Sequence, residues 1–219
     1  LSYNPDALVP IARVTNTIIA ITVPASLKVK SVAELDSLLR AQPGRYHWAS
    51  VTGATDLVFS GFLKSAGLDM IRVPYRDAVT PVNDLSEGRI EVFLSALATV
   101  LPQVTAGKIK ILALTNREPA PSLPDVPTTL QIGYPALQFD GLVGLFATAG
   151  LPLDTRERIA ADVRAIVADP AVATRIAATG QIVSAGSPSE FAAEIARQRA
   201  AFAAIGKTLG TALNADKPR

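Results

Sequence analysis

The sequence predicts an α/β fold around a largely parallel sheet, and three observations carry that prediction. Short segments rich in Val, Ile and Thr alternate with segments of helical spacing along most of the chain. The helical segments open on capping signals and close on glycine or proline. A chain of 219 residues, 49% of them hydrophobic, can bury a full core in one large domain or two small ones.

Taken in order, residues 11–14 and 17–23 read as one or two strands that end at Pro24. Ser31-Val32-Ala33-Glu34 has the spacing of a capping box, in which the serine hydroxyl and the glutamate carboxylate each satisfy a free backbone N–H. The helix it starts runs from 32 to about 42 and stops at Pro43-Gly44. Residues 46–50 read as a strand, 51–54 as a loop, and 55–66 as a helix that offers Leu57, Phe59, Phe62 and Leu63 for burial. Strands at 70–73, 90–94 and 109–114 then alternate with helices at 80–87 and 100–106. Residues 116–127 carry four prolines in twelve positions and read as a long surface connection. After a strand-like stretch at 137–147, Asp154 and Glu157 open a helix to about 168, and a second helix spans 170–179. Ser187-Pro188-Ser189-Glu190 starts a third that reaches about 205, with Phe191, Ile195, Phe202 and Ile205 as its apolar positions. From Gly206 the tail is mixed and expected to fray.

Composition excludes several function classes. The 21 basic and 19 acidic residues are scattered, so there is no concentrated basic footprint for nucleic acid. The strongest apolar run, 18–23, is strand-sized and far short of the roughly 18 residues of a membrane span. With no cysteine there are no disulfides, thiol nucleophiles or thiolate metal sites. The one histidine, His47, sits mid-strand without recognisable partners, and there is no G-x-S-x-G elbow, P-loop or G-x-G-x-x-G. Asp84 and Glu87 fall on an exposed helix and read as solvated charge. The expectation is a protein that is not an enzyme and carries no cofactor and no metal. The chain opens on Leu1-Ser2-Tyr3-Asn4-Pro5 without an initiator Met or a signal segment, and reads as processed or cut.

One segment suggests binding. The loop Ser50-Val51-Thr52-Gly53-Ala54-Thr55 joins a strand to a helix start, so backbone N–H groups and two or three hydroxyls can converge on a small anion. Such donors suit a carboxylate that is held and later released. Read alone, the loop is also explained by Thr55 as a cap and Gly53 as a turn residue. Ser95 closes the strand at 90–94, and ligands of open α/β sheets sit beyond the carboxyl ends of strands, so Ser50 and Ser95 are expected to face one crevice. Tyr75 and Arg76 either rim that crevice or pack and solvate a turn.

The order of these segments resembles the Bug family of tricarboxylate-receptor solute-binding proteins. The resemblance rests on Tyr46-His47-Trp48-Ala49-Ser50 with its loop and Thr55, then Arg72-Val73-Pro74-Tyr75-Arg76, Asp84-Leu85-Ser86-Glu87-Gly88 and Leu112-Ala113-Leu114-Thr115. It continues through Leu123-Pro124-Asp125-Val126-Pro127-Thr128, the most specific of the set, and Ala147-Thr148-Ala149-Gly150-Leu151-Pro152. It implies a periplasmic-binding-protein type II-like fold that closes by hinge motion on a small organic acid and delivers it to the membrane subunits of a tripartite tricarboxylate-type transporter. It also implies that the loop of Ser50, Thr52, Gly53, Ala54 and Thr55 holds a carboxylate. Family glycines are replaced by Thr52 and Ala54, a family histidine by Val58, a glutamate by Phe62, and the usual tryptophan aligns with Leu142. These departures reshape the cradle, and binding by this chain is expected to be impaired.

The division expected on this basis is a nearly complete lobe over 8–138, with 1–7 leading into it, and an incomplete second lobe over 139–219, mainly helices, lacking an N-terminal segment of the family. Hinge strands are expected near residues 10–14 and 139–146. Apolar faces of the helices at 154–168 and 188–205 are expected to be exposed, and covered by a homo-oligomeric or other partner chain, a swapped segment or the missing N-terminal piece. The rival from another class is a ligand-sensing effector domain of the same architecture.

Overall fold

The computed structural model describes residues 7–51 and 53–210, and their strands form two sheets. In chain order the elements are β1 (Leu8–Thr17), β2 (Ile19–Pro24), α1 (Val32–Ala41), β3 (His47–Ser50), α2 (Ala54–Ala66), β4 (Ile71–Arg72), α3 (Thr80–Ser86) and β5 (Val92–Ala96). There follow α4 (Leu97–Thr105), β6 (Ile109–Leu114), a single 3-10 turn (Pro135–Leu137), β7 (Gly141–Thr148), α5 (Leu153–Val167), α6 (Pro170–Ala178), β8 (Gln181–Gly186) and α7 (Pro188–Leu209). The α/β expectation holds.

Capping chemistry sets the helix starts. The Ser31 hydroxyl accepts the Glu34 N–H at 3.1 Å, while the Glu34 carboxylate accepts the Lys30 N–H at 2.8 Å, one residue ahead of the cap. At α7 the exchange is reciprocal: Ser187 Oγ accepts the Glu190 N–H and Glu190 Oε2 accepts the Ser187 N–H. Asp169 caps α6 by accepting from the Ala171 and Val172 amides.

The larger sheet has the order β4-β3-β5-β2-β6. β3 pairs in parallel with β4 and β5, but β2 runs antiparallel to both β5 and β6, so the sheet is mixed rather than largely parallel. The chain passes from β1 to β2 through Ile18 alone. All six β2 residues are buried, as expected of a central strand. Alternation then separates two cores: Trp48, Val92 and Leu94 join one cluster, and Ala49 and Phe93 the other. The first holds α2, whose Phe59 meets Trp48 edge-on at 4.9 Å and whose Phe62 meets Tyr134 at 6.0 Å. Those contacts fix α2 directly after β3.

The proline-rich segment is irregular, as expected, but both ends are tied down. Asn116 is buried and its Oδ1 accepts the Ile19 N–H at 2.9 Å. The Leu114 N–H donates to the Pro127 carbonyl, and the Thr129 N–H donates to that of Leu114, which seals the edge of β6.

The smaller sheet, β7-β1-β8, is antiparallel throughout. β8 is absent from the sequence reading. Gly144 has no room for a side chain: a Cβ there would lie 2.4 Å from the Phe191 ring and 2.6 Å from the Ala12 carbonyl oxygen. Arg13 donates from Nε to the Ser184 carbonyl and lies 3.7 Å from buried Glu194, which also pairs with Arg197.

The chain divides into a unit of Leu1–Ile18 with Asp140–Arg199, and a unit of Ile19–Phe139 with Ala200–Arg219. This changes the expected boundary at residue 8. β1 does not belong with residues 19–138, because its ladder partners are β7 and β8. The end of α7 joins the second unit, where Phe202 meets Phe139 at 5.8 Å and Ile205 packs on Gly61. The apolar face of α7 is therefore largely covered, with Phe191 buried and Ile195, Phe202 and Ile205 half-buried. Exposure falls instead on Leu153 and Ile166 of α5 and on Val143, Leu145 and Phe146 of the edge strand β7.

Candidate functional site

The carboxyl ends of the parallel strands gather small polar residues at one edge of the larger sheet. Ser50 ends β3 opposite Leu94, which places Ser95 one residue further along the neighbouring strand. Ala20 pairs with both Ser95 and Leu114, so Thr115 and Asn116 follow at the same edge. Ser50 is 7% and Ser95 1% exposed. Thr115 is committed structurally: its hydroxyl donates to the Phe139 carbonyl at 2.9 Å. Ser95 Oγ lies 3.4 Å from the adjacent Ala96 carbonyl, a long distance for an O–H···O bond.

The turn from β3 into α2 depends on Gly53. Its φ of +115° is a conformation that side chains with a Cβ rarely adopt, and it is the residue at which the helix starts. Among the described residues no side chain caps α2, so the N–H groups of its first turn, from Ala54 onward, have no acceptor within the helix. That end carries the positive pole of the helix. Thr55 does not cap the helix as the simpler sequence reading had it; its hydroxyl donates to the Val51 carbonyl at 2.7 Å. Thr52 lies outside the described residues.

Two further residues enter the site. Asp56, in the first turn of α2, accepts at Oδ1 the Ser50 hydroxyl at 3.2 Å and the Arg72 Nε–H at 2.5 Å. Arg72 ends β4, and its guanidinium lies 6.0 Å from the centre of the Trp48 ring. Sequence reading passed over Asp56 and took Arg72 only as part of a family segment. The legible signal was an acid in the first turn of one helix and a base at the end of the adjacent strand.

Tyr75 is engaged elsewhere. Its hydroxyl donates to Asp84 Oδ2 at 2.6 Å, its ring packs on the cluster of Ala49, Leu85 and Phe93, and burial first, then that hydrogen bond, push the phenol pKa well above its ordinary value. The same bond and Arg89 hold the Asp84 carboxyl below the usual carboxylate range. His47 is a strand residue whose N–H donates to Glu91 Oε2 at 2.6 Å. Among the described residues no three His, Cys, Asp or Glu side chains group to hold a metal, and no helix is long and apolar enough to cross a membrane.

A sequence model described as the tripartite tricarboxylate transporter family receptor matches residues 1–210. The chain belongs to this receptor family. A UPF0065 protein of Pseudomonas sp. strain P51 is 26% identical over 194 residues, covering 87% of this chain and 58% of the relative. One of Agrobacterium vitis is 24% identical over 217 residues, covering 94% of this chain and 63% of that protein. The chain thus spans about three fifths of the length of the curated relatives it matches. Among solved structures, one described as a periplasmic transporter is 28% identical with a TM-score of 0.78, covering 94% of this chain and 70% of its own. An R. palustris protein solved with adipate is 26% identical with a TM-score of 0.79, covering 95% of this chain and 71% of that one. Malate-bound MatC of Rhodopseudomonas palustris, at 22% identity and a TM-score of 0.73 over 94% of this chain and 72% of its own, shares the fold. The fold expected from the resemblance, that of periplasmic solute-binding receptors, is therefore the fold found.

Residues of α2 beyond its first turn are built into packing. Val58 and Phe62 are buried, and Phe62 lies 5.9 Å from Phe59. Ala54 is half-buried at the first position of α2.

Proposed function

We propose that this chain forms the carboxylate-binding part of a periplasmic receptor that takes up a small organic acid, does not transform it, and delivers it to a tripartite tricarboxylate-type transporter. The observation that carries the reading is a helix start, Gly53–Ala54–Thr55, that no side chain among the described residues caps, directly after the buried Ser50 at the end of β3, with buried Ser95 one residue further along the neighbouring strand. A carboxylate matches this set because it accepts from N–H and O–H donors without needing a metal or a bidentate arginine. A neighbour above one quarter identity was solved with adipate, which supports a ligand of the same class. Hydroxyls and amides hold more loosely than a guanidinium fork, as delivery requires. A homo-oligomeric or swapped contact would fall on β7, whose exposed edge carries no charge and no proline to blunt strand pairing.

The test is a thermal-shift screen of mono-, di- and tricarboxylates. A ligand specific for the folded state adds about 2.7 kcal/mol of stability at a hundred times its Kd, so at least one acid should raise the melting temperature at millimolar concentration. No shift with any acid would refute the reading.

A further inference from the structure

One hydroxyl that would seat a ligand, that of Ser50, is already in use. The Ser50 hydroxyl has one hydrogen, and it points to Asp56; Arg72, the nearest guanidinium, donates to the same carboxylate oxygen. Asp56 also sits in the first turn of α2, where its charge offsets the positive helix end that would attract an anion. The Asp56–Arg72 pair is partly exposed, with side chains 27% and 40% accessible, so it contributes little to stability. Its larger effect is local: a carboxylate seated on Ser50 would stand one hydroxyl away from a second carboxylate, and like charges at that range repel strongly.

We propose that Asp56 is a built-in competitor of the ligand: it holds the Ser50 hydroxyl and the Arg72 guanidinium in the empty state and sets how tightly the cradle binds carboxylates. On binding, the Ser50 hydroxyl turns from Asp56 to the ligand, and Asp56 falls back on Arg72 alone. Arg72 acts as a positioning residue, because the charge it neutralises is the one that opposes the ligand. The inference rests on the receptor reading above and adds to it the residue that tunes affinity and hastens release.

The prediction has opposite signs at the two partners. Asp56→Asn keeps the shape, removes the charge and should tighten binding about tenfold, while Arg72→Gln leaves Asp56 uncompensated and should weaken it by a similar factor. The gain from Asp56→Asn should shrink in a Ser50→Ala background, where there is no hydroxyl to release. Calorimetric titration with adipate, malate and citrate at fixed ionic strength measures wild type, Asp56→Asn, Arg72→Gln, Ser50→Ala and the Ser50→Ala/Asp56→Asn double variant, with circular dichroism to confirm folding. Asp56→Ser, which puts a neutral hydroxyl in place of the carboxylate, is titrated beside Asp56→Asn in case the latter misfolds. Binding by wild type that is unchanged or weaker in both Asp56 variants overturns the competitor role and leaves the receptor reading intact. Both variants of the pair weakening binding together would mark it as scaffolding and also overturn the role. Binding by neither wild type nor any variant overturns the receptor reading and this inference with it.

Discussion

Replacing Gly61 with alanine tests whether the end of α7 packs where the structure puts it. In an exposed helix interior the change would stabilise by about 1 kcal/mol, because alanine loses less backbone entropy than glycine. Here a Cβ on Gly61 would lie 2.5 Å from Ile205 Cγ2 and 3.4 Å from its Cγ1. The isoleucine is β-branched and stiff at χ1, so it cannot swing aside cheaply. Overpacking of this kind costs about 1–3 kcal/mol, which leaves a net loss of about 1 kcal/mol. Ile205→Ala removes the clashing methyl, so Gly61→Ala in that background should become stabilising, giving a coupling of about 2 kcal/mol between the sites. Urea unfolding of the four proteins, followed by the fluorescence of buried Trp48, the single tryptophan, reads this cycle directly. If Gly61→Ala stabilised the protein with Ile205 in place, and the two changes simply added, the packing of α7 on α2 would be refuted.

Gly144→Ala should be worse, because one of its clashes is with backbone: the Ala12 carbonyl stands 2.6 Å from the new Cβ, and β1 cannot withdraw without breaking its ladder with β7. A loss of about 3 kcal/mol in urea unfolding is expected, and a loss under about 0.5 kcal/mol would show that β7 and Phe191 are not packed together. Tyr75→Phe should remove about 1 kcal/mol of stability at neutral pH by deleting the bond to Asp84. Because that bond lowers the Asp84 pKa, its contribution is present above the ordinary aspartate value and is lost as pH falls through the lowered one, so wild type and variant should converge in strong acid. Carboxylate binding should be unaffected by this change, and a loss of binding would return Tyr75 to the site.

Much of the fold was legible because local chemistry and global packing agree. The capping residues Ser31 and Ser187 mark helix starts within a residue, and the apolar run of β2 marks a strand. Strand direction was not legible. Nothing in the sequence of β2 says that it runs against β5 and β6, because its partners are strands distant in the chain. β8 escaped because its residues are only half-buried and its ends carry no turn signal apart from Gly180 and Gly186. The candidate site was half legible: Ser50 and Ser95 follow from their place at strand ends, which is a rule of topology, and Gly53 from the turn into α2. The hydrogen bonds of Asp56 did not follow, because an acid in a first helical turn is ordinary until its partners from β3 and β4 are seen. Tyr75 was open to two readings, rim or turn packing, and the structure shows its hydroxyl tying the turn after β4 to α3.

The central claim is that a small carboxylate binds at the start of α2, and amide chemical-shift mapping tests it most directly. Titrating adipate or malate into labelled protein should move the amides of Gly53, Ala54, Thr55 and Asp56 most, with those of Ser50 and Ser95 beside them, and Ser50→Ala should reduce the response. Shifts confined to another surface, such as the cleft between Lys30, Pro127 and Tyr134, with the α2 amides unmoved at saturation, would contradict it.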